Sequence, residues 1–256
     1  MNQVAPIRAV IFDMGGTLEQ VYFDDTLRQQ ATHGLLALLE KYNLGSGMNA
    51  IELFSIVKAG MARYNLWREE TCLEASPERQ WSEFVLIDHR RFPQDQVESI
   101  GEQLAFYYDI NFYTRKARPE AKEMLEALRS RGFRLGVISN IFSRQAVPHN
   151  LARYGLAEYF QAILCSSAIG YRKPDPRIFM QAAGLLGMNP AECAYVGDTI
   201  SRDVVGAHRA GYRRAIQIKS FLTRVSDKET DTEQPDAVID NLMQVVELVQ
   251  NTTELI

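Results

Sequence analysis

Ile11-Phe12-Asp13-Met14-Gly15-Gly16-Thr17-Leu18 is an apolar run that ends on one carboxylate, then two glycines and a hydroxyl. The run suits a buried strand stopping at Asp13. The glycines suit a tight turn, which lets backbone and hydroxyl groups gather around the carboxylate in a crevice. Two residues past Asp13 stands Gly15, which brings no side chain to that crevice.

Beyond this stretch the texture changes twice. From about Asp24 to Asp109 no strand is convincing. Leu27, Ala31, Leu35, Leu38 and Tyr42 fall at helical spacing, and the run stops at Gly45. Ile51, Phe54, Val57, Met61 and Tyr64 form a second stripe. Ser76-Pro77 reads as a cap with proline in the first turn, opening a helix through Trp81, Val85 and Asp88. A fourth helix from near Pro93 carries Val97, Ile100, Leu104 and Tyr108. Four helices in series imply a small bundle with its own core.

From Arg118 onward helix and strand alternate. Strands are predicted at Arg134 to Ser139, Ala162 to Cys165, Cys193 to Val196 and Ala215 to Ile218, with an edge strand at Ala237 to Ile239. Helices are predicted near Ala121 to Leu128, Pro176 to Leu186, Ser201 to Gly211 and Leu242 to Val249. Such alternation means a parallel sheet covered on both faces. The first strand, Ile7 to Phe12, joins that sheet. The fold class is therefore α/β, a doubly wound parallel sheet in residues 1–19 and 113–256, with a helical bundle inserted as residues 20–112. Ser226 to Gln234 is polar and reads as an exposed loop.

Composition removes several function classes. The chain has 256 residues, 46% apolar and 23% charged, with a formal charge of -4. That balance gives no basic footprint for nucleic acid. No apolar run approaches the ~20 residues that cross a bilayer. Met1 to Arg8 is short and polar, unlike a signal peptide. Cys72, Cys165 and Cys193 have no metal-like spacing, and Cys165 and Cys193, at the ends of apolar segments, suit small buried hydrophobes in a reducing cytoplasm.

In an open parallel sheet, ligands bind beyond the carboxyl ends of the strands. Four residue sets stand there: Asp13 to Thr17, Ser139-Asn140, Lys173 in Gly170-Tyr-Arg-Lys-Pro-Asp-Pro, and Gly197-Asp198 through Asp203. Each alone is ordinary turn chemistry. All four, in order and each after a strand, point to one site. This constellation resembles the haloacid dehalogenase superfamily, mostly magnesium-dependent phosphohydrolases, and the resemblance covers nearly the whole chain. It implies that Asp13 attacks phosphorus and forms an aspartyl-phosphate. It implies Mg2+ held by Asp13, the Gly15 carbonyl and Asp198, with Asp203 orienting a metal-bound water or binding directly. Gly16, Thr17, Ser139, Asn140 and Lys173 would bind the phosphoryl group of a small phosphorylated metabolite. The helical insertion resembles the family's cap, and its Arg63, Tyr64, Trp67 and Arg68 are candidates for lining the leaving group.

Gly15 departs from that pattern. In the hydrolytic members an aspartate there protonates the leaving group and then activates water, help worth roughly 10²–10⁴-fold. Glu19, Asp24 and Asp25 lie just downstream as substitutes. Two alternatives stay open. One is a phosphometabolite-binding protein with weak or no turnover. The other is a carbon–phosphorus hydrolase using Lys41 or Lys58 as a Schiff base. Oligomeric state is open at this level, since apolar stripes can bury against each other or against a second copy.

Overall fold

The computed structural model describes residues 5–227 and 233–250. Its strands are β1 (Ala9–Phe12), β2 (Glu19–Tyr22), β3 (Thr114–Ala117), β4 (Arg134–Ser139), β5 (Ala162–Cys165), β6 (Cys193–Gly197), β7 (Arg214–Ile218) and β8 (Ala237–Ile239). Six of them form one sheet in the order β5-β4-β1-β6-β7-β8, and every pairing in it is parallel. The strand β1 is central and alternates strictly. Val10 and Phe12 enter one apolar cluster, while Ala9 and Ile11 enter the other. Helices therefore cover both faces, as the sequence pattern implied.

The chain leaves β2 into α1 (Asp25–Glu40), α2 (Ala50–Thr71), α3 (Pro77–Arg79), α4 (Gln94–Ser99) and α5 (Gly101–Asn111), then returns through β3. Around the sheet lie α6 (Ala121–Ser130), α7 (Ala146–Arg153), α8 (Ser166–Ile169), α9 (Pro176–Leu185), α10 (Val205–Arg209), α11 (Phe221–Ser226) and α12 (Gln244–Gln250). The inserted helices pack their own cluster around Leu35, Leu53, Val57, Trp81, Val97 and Leu104, joined by Phe142 from the loop after β4.

Local chemistry explains most of these boundaries. Asp24 accepts the Leu27 N–H at 2.7 Å and starts α1, and Asn49 accepts from Glu52 to start α2. Ser76 caps α3 as expected, but the following turn widens into a π-helix at Gln80–Val85 rather than continuing to Asp88. Backbone proximity governs that region. A Cβ on Gly60 would lie 2.6 Å from Val85 Cα, and one on Gly101 would lie 2.5 Å from Glu78 Cα. The single helix expected from Pro93 is accordingly split at Ile100, which lets Gly101 seat against Glu78. Ile51, placed by its spacing on the buried stripe, is 81% exposed, and Leu53 takes its place inside.

The antiparallel ribbon of β2 and β3 was invisible in the sequence. Its strands are four residues each, Glu-Gln-Val-Tyr and Thr-Arg-Lys-Ala, too short and polar to carry a strand signature. Of the loop expected at Ser226 to Gln234, residues 228–232 lie outside the described residues. Among the described residues no helix is long and apolar enough to cross a membrane.

Candidate active site

The sheet order reverses between β1 and β6, and that switch point is where the chemistry gathers. Asp13 follows β1, Ser139 ends β4 and Asp198 follows β6, so three neighbouring strands deliver three side chains to one crevice. Lys173 reaches in from the loop after α8. Its Nζ donates to Asp13 Oδ1 at 2.7 Å, to Asp203 Oδ1 at 2.6 Å and to the Tyr195 hydroxyl at 2.9 Å. Carboxylate oxygens of Asp13, Asp198 and Asp203 all lie within 4.8 Å of one another, and all three residues are buried.

The turn after β1 is built for close approach. Gly16 has φ +93°, and a Cβ there would be driven into Asp198 Oδ2 and lie 2.8 Å from Ser220 Oγ. Gly16→Ala is therefore expected to separate Asp13 from Asp198 and lower the affinity of this acid cluster for a divalent cation by about 5- to 150-fold, taking roughly 1–3 kcal/mol as the strain. Isothermal titration with Mg2+ checks it. Gly197 has the same duty on the other side, where a Cβ would collide with Asp203.

Electrostatics divide the acids into two kinds. Burial pushes the Asp13 carboxyl up to about 6 despite the Lys173 ammonium. Burial, with Asp13 and Asp203 close by, holds Asp198 well above the carboxylate range. Asp203 goes the other way. Burial opposes its charge, but Lys173 and the Thr199 hydroxyl outweigh that and keep it ionised. Lys173 itself loses to burial and gains more from Asp13 and Asp203, so it stays an ammonium. One buried cation thus balances only part of a three-carboxylate cluster. The remaining deficit is one a divalent cation with oxygen ligands fits, since it favours the ionised form of Asp13 and Asp198.

The other sequence candidates fall into place unevenly. Thr17 is fully buried, with its hydroxyl 3.5 Å from Asp13 Oδ2. Ser139, Asn140 and Gly15 line the cavity beside Asp13, whose volume is about 320 Å³. The Asn140 amide does not point its hydrogen-bonding groups at open space. It accepts from Lys173 N at 2.9 Å and donates to Lys173 O at 3.0 Å, clamping the loop that carries the lysine. Asp203 Oδ2 likewise accepts from the Thr199 hydroxyl and from the Asp198 and Thr199 amides, so it organises the loop around Asp198.

None of the three acids read as substitutes at Gly15 lines this cavity. Glu19 is buried against Arg115, Tyr154 and Asn150, Asp24 caps α1, and Asp25 pairs with Lys58 at 2.7 Å. Lys41 and Lys58 do not line it either. Of the four residues considered for the leaving group, only Arg68 does. Tyr64 is buried and bonded to Glu74, and Arg63 is bonded to Phe84 O. Cys165 and Cys193 are buried free thiols pushed up to about 12 by desolvation, which makes them poor nucleophiles.

What sequence reasoning missed is the opposite wall. Arg28 from α1, Asn65 from α2, Asp109 from α5, Arg115 from β3, Arg172 and Arg202 all line the cavity. Arg115 Nη1 would lie 3.6 Å from a Cβ on Gly15. Arg28 stacks over the Phe23 ring at 3.9 Å, and its buried Nε has no partner. Asn65 Oδ1 is buried and unpartnered too. Spacing offered one signal only, since Asn65 and Arg68 are three apart on α2 and share a face.

A sequence model of the haloacid dehalogenase-like hydrolases matches residues 7–211, which takes in all four strand-end motifs. The chain belongs to this family. It is a hydrolase by that membership. A glyceraldehyde 3-phosphate phosphatase from Methanopyrus kandleri is 27% identical over 246 residues, 95% of this chain and 97% of that one. Human haloacid dehalogenase-like hydrolase domain-containing protein 3 is 40% identical over 149 residues, 56% of this chain and 55% of its own. The crystal structure of a 2-haloacid dehalogenase from Pseudomonas syringae pv. Tomato superposes with a TM-score of 0.65 at 25% identity, covering 96% and 99% of the two chains. A phosphatase structure of the same family from Thermococcus onnurineus gives 0.61 at 23% identity, covering 95% and 98%, a likeness of fold.

Proposed function

We propose that this hydrolase is a magnesium-dependent phosphohydrolase that works through an aspartyl-phosphate on Asp13 and lacks the usual proton donor beside it. The observation that carries the reading is the buried cluster of Asp13, Asp198 and Asp203 around Lys173 at the switch point of the sheet. A halide displacement needs no such acidic cluster, whereas a phosphoryl group brings charge that a metal and a lysine neutralise together. Relatives named as phosphatases, among them the Methanopyrus kandleri protein and a phosphoglycolate phosphatase of Haemophilus influenzae, support the same class.

Asp13, the Gly15 carbonyl and Asp198 would hold the ion, with Asp203 behind them. Bound there, it would neutralise phosphoryl oxygens and favour ionised Asp13. The chain's own groups do the rest. Asp13 supplies the attacking carboxylate. Lys173 holds that carboxylate by a hydrogen bond and offers a positive charge to the phosphoryl oxygens, with Thr17 and Ser139 adding hydroxyls. Asn140 fixes the backbone of Lys173. Residues 20–112 act as the cap, and α1 and α2 bring Arg28, Asn65 and Arg68 over the leaving group. Those donors suit a small hydrophilic leaving group that is itself anionic.

At Gly15 no proton donor faces the leaving oxygen, and Arg115 is the nearest charged neighbour of that position. A guanidinium stabilises charge but does not give up its proton at neutral pH. Acyl and aryl phosphates, whose leaving groups are stable as anions, are therefore the preferred substrates over alkyl phosphates. Steady-state rates on acetyl phosphate, p-nitrophenyl phosphate and glycerol phosphate, with and without Mg2+, test this. The expected order is acetyl and p-nitrophenyl phosphate well above glycerol phosphate, each requiring Mg2+. Equal rates on all three, or rates indifferent to metal, contradict it.

Asp109 supplies a prediction of a different kind. It is buried, accepts the Ser143 N–H at 2.7 Å, and is pushed up to about 7 by burial, against the pull of Arg115. The folded protein therefore holds that proton between about pH 4 and 7, where the unfolded chain has released it. Stability from this group is full at low pH and lost as pH rises through 7. Asp109→Asn keeps an acceptor for Ser143 and removes the titration. It is expected to stabilise the protein by roughly 2–4 kcal/mol at pH 8 and by less than half as much at pH 5. Denaturant melts at the two pH values measure the difference.

A further inference from the structure

A larger cavity, about 690 Å³, lies on the opposite face of the β2–β3 ribbon from Asp13. The ribbon's alternation divides the two. Arg115 points inward and Val21 borders both cavities, while Gln20, Tyr22, Thr114 and Lys116 face the larger cavity alone. Its charged lining is wholly cationic: Lys116, Arg118, Lys219 and Arg224, with no aspartate or glutamate. None of these four forms an ion pair among the described residues. Arg115 on the inner face, by contrast, is tied to Glu19. Glu120 and Asp198 offset part of the charge on Arg118, but four cations around one concavity still repel each other, and a multiply charged anion relieves that repulsion.

The deepest of the four is also the most constrained. Arg118 Nη2 donates to Gly16 O at 2.9 Å and to Lys219 O at 3.3 Å, while its Nε is buried without a partner. Burial pulls its basicity down, the direction an anion would reverse. Two hydroxyls of the same cavity are tied to the acid cluster: Ser220 Oγ donates to Asp198 Oδ2 at 2.5 Å, and Thr223 Oγ1 donates to Asp198 O at 2.7 Å.

We infer that this cavity is a second anion site, taking a small anion with several charges, of the oligophosphate class. The ligand sits on the outer face of the ribbon, one hydrogen bond from Gly16 and from Asp198, and is not the molecule hydrolysed. It has no nucleophile or acid to react with there. The inference stands whether or not the protein turns over phosphate esters, because it concerns binding alone.

Tripolyphosphate is the probe, titrated calorimetrically into metal-free protein at low salt. Lys116→Glu/Arg224→Glu reverses two exposed charges that take no part in the catalytic machinery. Lys116→Gln/Arg224→Gln removes the charges without adding repulsion. Unchanged circular dichroism and an unchanged thermal midpoint report that both variants are folded. The expected result is binding by the wild type that weakens at least about tenfold in the charge-reversed protein, by less in the glutamine protein, and not in Arg28→Ala, which alters the other cavity. No binding by the wild type, or a loss smaller than tenfold on charge reversal, overturns the inference.

Discussion

Gly15→Asp is expected to raise hydrolysis of alkyl phosphates by about 10²–10⁴-fold, the usual worth of a positioned general acid and base. The backbone permits it, since Gly15 is not among the residues of positive φ. The space permits it as well. A Cβ there would meet Val21 Cγ2 at 3.5 Å, Arg115 Nη1 at 3.6 Å and Leu222 Cδ1 at 3.8 Å, all ordinary van der Waals contact. Arg115 sets the limit. A carboxylate beside it is held ionised, which favours its work as a base on water over its work as an acid on the leaving group. The gain for glycerol phosphate, whose leaving group needs a proton, therefore belongs at the lower end of the range, and acetyl phosphate gains through the faster attack of water on the phosphorylated Asp13. Rates on the two substrates, compared in both proteins, measure it. No gain on glycerol phosphate from a folded variant would move the proton donor to another wall of the cavity.

Lys173→Met carries the second large effect, on stability and on rate together. Lys173 is 3% exposed and holds Asp13 and Asp203 with one ammonium. Removing a buried partner leaves uncompensated charge, a loss of about 3–5 kcal/mol in metal-free protein. Part of that returns as Asp13 and Asp198 take up protons, and more returns with Mg2+, because binding to the folded state alone stabilises it. Catalysis does not return. One preorganised positive donor aimed at developing charge is worth about 10²–10³-fold in kcat. Thermal melts with and without Mg2+, beside single-turnover rates, separate the two effects.

The parts of this site legible in the sequence are those that local rules fix. Asp13, Ser139 and Asp198 each stand at the end of an apolar run that reads as a buried strand, and parallel strands bring their carboxyl ends to one edge of the sheet, with β1 between β4 and β6. Asn140 was legible as a site residue, yet its clamp on the Lys173 backbone depends on two loops 33 residues apart. The cationic wall was not legible. Arg28 and Asn65 come from two different inserted helices and Arg115 from the short strand β3, so they meet at the cavity through tertiary packing that leaves no periodic signature. Glu19 misled for a related reason. Its position near Gly15 suggested an acid for the site, but β2 turns it inward to Arg115, and the ribbon that does so is too short to read.

On the proposed mechanism Asp13 becomes phosphorylated and, without an acid–base partner at Gly15, loses the phosphoryl group to water slowly. Rapid mixing with p-nitrophenyl phosphate and Mg2+ tests it most directly. The expected result is a burst of one nitrophenolate per chain, slower steady turnover, and a phosphoryl adduct mapped to Asp13 by mass spectrometry. Gly15→Asp shortens the life of that adduct, and Asp13→Asn abolishes it. A linear time course with no adduct, together with undiminished turnover by Asp13→Asn, would contradict the account.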